Sequence, residues 1–126
     1  MIRKKIEAEG AVSVGPYSHA IISEEFIFLS GQTPIDAATG ALVNGSIGDQ
    51  TRQCFHNLLA VLEAGGLTFD DVVKVNVFLT DMENFSAMNE VYAEYFAEPY
   101  PARTTIGVAS LPLGADVEIE MVARCR

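Results

Sequence analysis

The segment Val72–Leu79 is the feature that most limits the folds open to this chain of 126 residues. It is short and rich in valine, which predicts a β-strand, and successive side chains of a strand point to opposite sides of the sheet. Alternation assigns one side to Val73, Val75, Val77 and Leu79. The opposite side holds Phe78 between more polar neighbours. Both sides carry apolar groups, so the sheet that contains this strand needs cover on both faces.

Two helices and six strands are predicted along the chain. The helices run from about Gly48 to Ala64, with Ser46 as N-cap, and from about Phe85 to Phe96. The strands are predicted at Ile2–Glu7, His19–Ser23, Phe26–Ser30, Val72–Leu79, Thr104–Ala109 and Val117–Ala123. This order predicts a single α+β domain over residues 1–126, in which one mixed sheet of six strands packs both helices on one face.

The second face of the predicted sheet has no helix to cover it within one chain. In the third strand, Phe26 and Phe28 oppose Ile27 and Leu29, so apolar residues again occupy both sides. A large exposed apolar patch favours aggregation of a monomer. We therefore expect the second face to be buried against further copies of the chain in a stable oligomer.

Charge and composition exclude several classes of protein. The formal net charge is -9, and the only dense basic run is Arg3-Lys4-Lys5, so a nucleic-acid partner is not expected. The two cysteines, Cys54 and Cys125, form neither a disulfide framework nor a metal-ligand pair. No signal peptide and no apolar run of about 18 residues is found. These observations predict a soluble cytoplasmic protein without a membrane partner.

Common catalytic motifs are missing from the sequence. It has no Gly-rich phosphate loop before a helix, no HExxH pair and no Gly-x-Ser-x-Gly elbow. His19 and His56 are the only histidines, and His56 falls on a helix away from its apolar stripe. A Ser/His/Asp or Cys/His nucleophile is therefore not expected.

Arg103 is the first candidate for binding chemistry. Pro101 disfavours helix before it, and Arg103 then stands at the mouth of a strand. Alternation separates Arg103 and Thr105 from Thr104 and Ile106. Assigning the more apolar pair to the helices would turn Arg103 toward the oligomer side. Periodicity alone leaves an alternative, in which Arg103 is an exposed residue at a strand end and pairs with an acid.

Glu118 and Glu120 share one face of the last predicted strand, and we expect it to be the face of Arg103. Two solvated acids are the alternative reading. In a simple hairpin of the last two strands, Glu118 would lie opposite Val108, roughly 16 Å along the strand from Arg103. Either the pairing differs, or a ligand and a water span the gap, or two subunits contribute.

Short motifs are spread in order along the chain: Gly15-Pro16-Tyr17, Ser30-Gly31-Gln32-Thr33-Pro34, Asn57-Leu58, Val75-Asn76-Val77-Phe78-Leu79, Phe85 with Asn89, Pro101-Ala102-Arg103, Leu111-Pro112 and Val117-Glu118-Ile119-Glu120. In these motifs and their spacing the chain resembles the reactive intermediate deaminase family, the Rid/YjgF proteins, in its RidA subgroup. The resemblance covers essentially the whole chain. It implies a chorismate-mutase-like fold and a homotrimer with clefts between subunits.

The resemblance also implies an activity: hydrolysis of 2-imino acids such as 2-iminobutanoate and 2-iminopropanoate, or their enamine tautomers, to 2-keto acids and ammonia. In this pattern Arg103 binds the substrate carboxylate and Glu118 handles the attacking water. The further substrate-binding residues that it implies are Tyr17, Ser30, Gly31, Asn89 and Thr105. Many relatives carry a cysteine where this chain has Thr105, and the backbone is the part expected to act there.

The chemistry suits these residue types without a cofactor or a metal. The guanidinium fork of an arginine binds a carboxylate through two parallel hydrogen bonds. A partly desolvated glutamate can orient a water and pass its proton to the imine nitrogen. A keto-acid-binding or holdase-like module without turnover is the alternative. The ribonuclease and translation-inhibitor label of the family is disfavoured by the net charge.

Overall fold

The computed structural model describes residues 3–9 and 15–126, and Ile2 of the first predicted strand lies outside them. The strands are β1 (Lys4–Ile6), β2 (Ala20–Ser23), β3 (Phe26–Gln32), β4 (Val72–Leu79), β5 (Ala102–Gly107) and β6 (Val117–Arg124). The helices are α1 (Ile47–Ala64) and α2 (Phe85–Tyr95). Each predicted element is present, with its ends shifted by a few residues at most.

One sheet contains all six strands, in the order β1-β2-β3-β6-β4-β5. β4 and β5 run parallel, and the other neighbouring pairs are antiparallel, which confirms the prediction of a mixed sheet. The last strand, β6, lies in the middle of the sheet, and β5 lies at an edge. A hairpin of β5 and β6 does not form, because β4 lies between them.

Both helices pack on one face of the sheet, as predicted. Phe55 of α1 is fully buried, and its ring lies 4.6 Å from that of Tyr95 and 5.9 Å from that of Tyr92, both on α2. Beneath the helices, Val77 of β4 and Ile119 of β6 are also fully buried. Burying each large apolar side chain contributes about 1.5–3 kcal/mol, so this layer stabilises the placement of β6, which carries Glu118, and of β4 beside it.

The start of α1 follows its sequence signal. The hydroxyl of Ser46 accepts a hydrogen bond of 3.1 Å from the backbone N–H of Asp49, which confirms Ser46 as the N-cap. Before α2, Asp81 caps the short turn Met82–Asn84 by accepting from the N–H of Glu83 at 2.9 Å. Asn84 itself makes no side-chain cap bond.

A bulge in β4 corrects one predicted side chain. The register between β4 and β6 shifts between Val72 and Lys74, so Val72 and Val75 both lie in the core. Val73 is 41% exposed, and its predicted place beside Val75 is therefore wrong. The extra residue of a bulge interrupts the alternation on which that prediction depends.

The second face of the sheet, which we call the open face, carries large apolar groups without helix cover. Phe28 on β3 is 50% exposed and Ile106 on β5 is 45% exposed. This arrangement agrees with the predicted need for cover on both faces. The division of the sheet into a helix face and an open face also determines which candidate residues share a surface.

Candidate active site

Arg103 lies near the start of β5, and its side chain reaches α2. Its Nη1 donates a hydrogen bond of 2.6 Å to Oδ1 of Asn89. Its guanidinium carbon lies 4.6 Å from the ring centroid of Tyr92 and 5.7 Å from that of Phe85. The three helical residues recur at i, i+4 and i+7, so they share one face of α2. The structure thus brings Asn89, a predicted substrate-binding residue, into contact with Arg103.

The predicted direction of Arg103 is wrong. β5 pairs Arg103 with the buried Val75, beneath the helices, and Thr104 with Asn76 on the open face. Directly paired residues of a sheet point to the same side, so Arg103 faces the helices and Ile106 faces away. β5 is an edge strand beside α2, and there an amide and two rings can accompany a charge on the helix face.

The predicted common face of Arg103 and Glu118 is wrong for the same reason. Glu118 pairs with Phe78, on the open face, whereas Arg103 pairs with Val75 on the helix face. The two positions on β4 are three residues apart, or about 10 Å along the strand, and the sheet itself lies between the side chains. Arg103 and Glu118 of one chain therefore cannot act on the same small molecule.

Glu118 lies in a cleft of about 340 Å³ on the open face. The cleft is lined by Tyr17, Ser30, Gly31, Thr33, Pro112, Glu118 and Glu120. A register shift between Leu29 and Gln32 interrupts the pairing of β3 with β6 beside Glu118. A Cβ on Gly31 would lie 2.6 Å from a carboxylate oxygen of Glu118, so only glycine permits this close approach.

The environment of Glu118 favours its protonated form. Burial, and then the negative charge of Glu120, raise the pKa of Glu118 above its ordinary value. Glu120 itself accepts a hydrogen bond of 3.0 Å from Nδ2 of Asn76. A carboxylate with a raised pKa is a better proton acceptor, as a general base requires.

The predicted residues Tyr17, Ser30 and Gly31 all lie in the cleft of Glu118. The side chain of Tyr17 is exposed. The hydroxyl of Ser30 donates a hydrogen bond of 2.6 Å to the carbonyl of Ser18, so toward a ligand it can only accept. We call Tyr17, Ser30, Gly31 and Glu118 the Glu118 half-site.

A second cleft, of about 480 Å³, contains the arginine and is lined by Asn89, Tyr92, Ala93, Tyr100, Pro101 and Arg103. We call Arg103 and Asn89, with the rings of Phe85 and Tyr92, the Arg103 half-site. Thr105 lies two residues beyond Arg103 on the same face of β5 and lines neither cleft. Its hydroxyl oxygen is buried and has no hydrogen-bond partner in the part of the chain that the structure describes.

Other reactive centres find little support. Within residues 3–9 and 15–126, no three or more metal-ligating side chains are grouped. In the same residues, no helix is long and apolar enough to cross a bilayer. Cys54 is fully buried, and burial raises the pKa of its thiol, so it is no nucleophile.

Comparison with known proteins decides the family. Residues 8–125 match the sequence profile of a family described as Endoribonuclease L-PSP. The chain belongs to this family, the Rid/YjgF proteins. It is 53% identical over 110 residues to a RutC family protein of Pyrococcus horikoshii, covering 87% of each chain. It is 41% identical over 124 residues to the 2-iminobutanoate/2-iminopropanoate deaminase of Bos taurus, covering 98% of this chain and 90% of the relative.

Solved Rid-family structures share the fold. A crystal structure of E. coli TdcF with bound serine superposes with a TM-score of 0.91 at 36% identity, covering 98% of this chain and 99% of the other. The recognition of the Rid/YjgF family from short motifs is therefore confirmed. The predicted architecture of one mixed sheet with two helices agrees with it.

Sequence reasoning did not include two neighbours of Arg103 among the candidate site residues. Phe85 and Tyr92 recur at the helical spacing of a buried apolar stripe, so the pattern of α2 by itself predicts core positions for them. Their spacing from Asn89 carries a signal, because i, i+4 and i+7 residues lie on one helix face. An amide within an aromatic stripe predicts a polar partner there, and Arg103 is that partner.

Proposed function

We propose that this chain hydrolyses 2-imino acids such as 2-iminobutanoate and 2-iminopropanoate to 2-keto acids and ammonia, at a site that two copies of the chain share. The names of relatives that are 40–46% identical over most of the chain support the reaction. This makes the chain a hydrolase that acts on C=N bonds.

One observation supports the shared site: Arg103 and Glu118 lie on opposite faces of the sheet. A 2-imino acid places its carboxylate next to its C=N carbon, so the group that binds the carboxylate must lie close to the group that handles water. One chain keeps them on opposite faces of its sheet. A second copy that brings its Arg103 half-site to the Glu118 half-site of the first satisfies the chemistry.

Arg103 binds the carboxylate in this proposal. Asn89 occupies one N–H of Nη1, and the remaining N–H groups of the guanidinium form a fork for two carboxylate oxygens. Fixing the carboxylate also fixes the neighbouring imine carbon in front of the other half-site. Such positioning supplies a large part of the rate enhancement in many enzymes.

Glu118 handles the water. Its carboxylate accepts a proton as the water oxygen bonds to the imine carbon, which yields a tetrahedral carbinolamine. Glu118 passes this proton to the nitrogen of the carbinolamine. The carboxylate then takes the hydroxyl proton and delivers it to the same nitrogen, so the C–N bond breaks and ammonia leaves as the C=O bond of the keto acid forms. Water is the only co-reactant, so the balanced reaction consumes no cofactor. In this proposal, Tyr17 and Ser30 hydrogen-bond substrate or water.

We place this reaction in a homotrimer with clefts between its subunits. The exposed apolar groups of the open face, among them Phe28 and Ile106, support burial against other copies. Cys54 and Cys125 are both unpaired, in agreement with a reducing cytoplasmic location. Light scattering at micromolar concentration measures the assembly, and a monomer would contradict the shared site.

The test of the reaction generates 2-iminobutanoate in situ with a threonine dehydratase and follows the release of 2-ketobutyrate. We expect Arg103→Ala to lower kcat/KM by about a hundredfold or more, because two charge-assisted hydrogen bonds are lost. Glu118→Gln keeps the shape of the side chain and removes the proton acceptor, with a loss of about 10²–10⁴-fold. Arg52→Ala, which removes an exposed arginine on α1, is the matched control and should retain full activity.

Two results would contradict the proposal. One is keto-acid release that the wild-type protein does not accelerate. The other is full activity in Arg103→Ala. Binding of 2-ketobutyrate without any consumption of imine would instead support a ligand-binding module.

A further inference from the structure

The guanidinium of Arg103 is held on an aromatic surface in addition to its hydrogen bond. Its carbon lies 4.6 Å above the ring of Tyr92, well within the distance at which a cation is attracted to a ring face. The ring of Phe85 lies farther away, at 5.7 Å. Tyr92 is only 5% exposed, so solvent screens this contact little.

We propose that Tyr92 is a positioning residue for carboxylate binding: the face of its ring holds the plane of the Arg103 guanidinium, and Asn89 fixes the rotation within that plane. This inference rests on the proposed function of Arg103. It assigns to Tyr92 a role beyond its place in the apolar stripe of α2.

Two contacts of different kinds are needed because the guanidinium is planar. A single hydrogen bond from Nη1 to Asn89 leaves the group free to tilt about that bond. Contact with a ring face opposes tilting, because cation and quadrupole attract most strongly when the guanidinium carbon lies over the ring. Together they keep the fork aligned with the two oxygens of a carboxylate before the ligand arrives.

The hydroxyl of Tyr92 has no part in this role. It is buried and has no hydrogen-bond partner within residues 3–9 and 15–126. Burial raises the pKa of this phenol, and the charge of Arg103 opposes the rise. The group therefore stays neutral near pH 7, and Tyr92 offers Arg103 a ring face rather than a counter-charge.

The experiment compares three substitutions on α2. Tyr92→Leu removes the ring and keeps an apolar side chain, and Tyr92→Phe keeps the ring without the hydroxyl. Tyr95→Leu is the matched control, because Tyr95 lies on the same helix and also packs on Phe55 but is not in contact with Arg103. The measurements are KM and kcat for 2-iminobutanoate, the Kd of 2-ketobutyrate and Tm.

We expect Tyr92→Leu to raise both KM and Kd by about three- to thirtyfold, the range that a partly desolvated cation–π contact spans. Tyr92→Phe should restore the wild-type values, and Tyr95→Leu should leave them unchanged while also lowering Tm. Equal KM and Kd in Tyr92→Leu and Tyr95→Leu would overturn the inference. So would a Tyr92→Phe protein that is as impaired as Tyr92→Leu, since the hydroxyl would then be the active group.

Failure of the inference on Tyr92 can be distinguished from failure of the proposed reaction. If the wild-type protein binds 2-ketobutyrate but consumes no imine, the reaction is wrong, and the Kd series still decides the role of Tyr92. If Arg103→Ala binds 2-ketobutyrate as well as wild type, the carboxylate role of Arg103 fails and the inference fails with it.

Discussion

The two half-sites differ in how firmly their own chain holds the reactive group. In the Arg103 half-site, a hydrogen bond of 2.6 Å and two aromatic rings hold the guanidinium. In the Glu118 half-site, burial and the neighbouring charge of Glu120 raise the pKa of the carboxyl group, and no donor in the described part of the chain offsets them.

This difference follows the work that each group would do. A residue that orients a substrate must be rigid before the substrate arrives, so its contacts belong to its own chain. A residue that accepts a proton needs a carboxylate whose charge is not already satisfied by hydrogen bonds. The edge of the sheet beside α2 provides the first environment, and the bulged open face provides the second.

The largest expected effect tests whether the two half-sites come from different copies. Co-expression of Arg103→Ala with Glu118→Gln should restore activity that neither variant has alone. In a cyclic oligomer assembled at random, about one quarter of the sites pair an intact Arg103 half-site with an intact Glu118 half-site. The keto-acid assay on the co-purified hetero-oligomer measures this recovery.

A chain that carries both substitutions, co-expressed with either single variant, is the control. It removes one of the two groups from every site and should restore nothing. Failure of the single variants to complement one another, in proven hetero-oligomers, would mean that the half-sites act independently.

A smaller loss is expected from Gly31→Ala. The new Cβ would lie 2.6 Å from the Glu118 carboxylate oxygen and would force the carboxylate out of its position. Misplacing a catalytic group by about 1 Å can cost up to about 100-fold, so we expect kcat to fall by about 10- to 100-fold with little change in Tm. The three atoms nearest to the new Cβ all belong to the flexible side chain of Glu118 and none to the backbone, which is why we expect stability to be spared.

Gly48→Ala on α1 is the matched control for this substitution. The nearest atom to its Cβ lies 3.4 Å away, an ordinary contact, and the position lines neither half-site. We expect unchanged kcat and an equal or higher Tm, because alanine favours helix over glycine. A normal kcat in Gly31→Ala would show that the position of the Glu118 carboxylate does not limit the reaction.

The smallest effect concerns the pH profile. Glu120 raises the pKa of Glu118, so Glu120→Gln should lower that pKa and move the acid limb of kcat to lower pH. By linkage, the raised pKa means that ionised Glu118 opposes folding. This penalty is absent below the ordinary pKa and grows as pH rises through the raised pKa, and Glu120→Gln should reduce it.

A pH series of kcat and Tm measures both effects. Glu63→Gln, at the exposed end of α1, makes the same change in net charge. It should shift neither the acid limb of kcat nor the pH dependence of Tm. An acid limb that moves equally in both variants would assign the shift to net charge and not to the contact with Glu120.

The fold was largely predictable because its signals are local. Periodicity in α1 and α2, the Ser46 cap and the valine-rich β4 all act within a few residues of chain. The bulges in β3 and β4 were not predicted, because an extra residue interrupts the alternation without a mark in the sequence. Val73 was misplaced for this reason.

The candidate site was likewise predictable only in part. Motif spacing selected Arg103, Glu118, Asn89, Tyr17 and the other predicted residues, and the family confirms the resemblance on which that choice depended. The contacts of Phe85 and Tyr92 with Arg103 were not predicted, because an aromatic stripe on a helix predicts a core. Their contacts with the guanidinium depend on where β5 lies relative to α2.

The sequence by itself determined which elements form, that the sheet needs cover on both faces, and which side chains are candidates for the chemistry. Only the tertiary structure decided that Arg103 and Glu118 lie on opposite faces. Strand order and register arise from pairing between distant segments, and a slip of one residue reverses the face of every side chain. That opposite placement is why the proposed function assigns the two halves of the site to two copies of the chain.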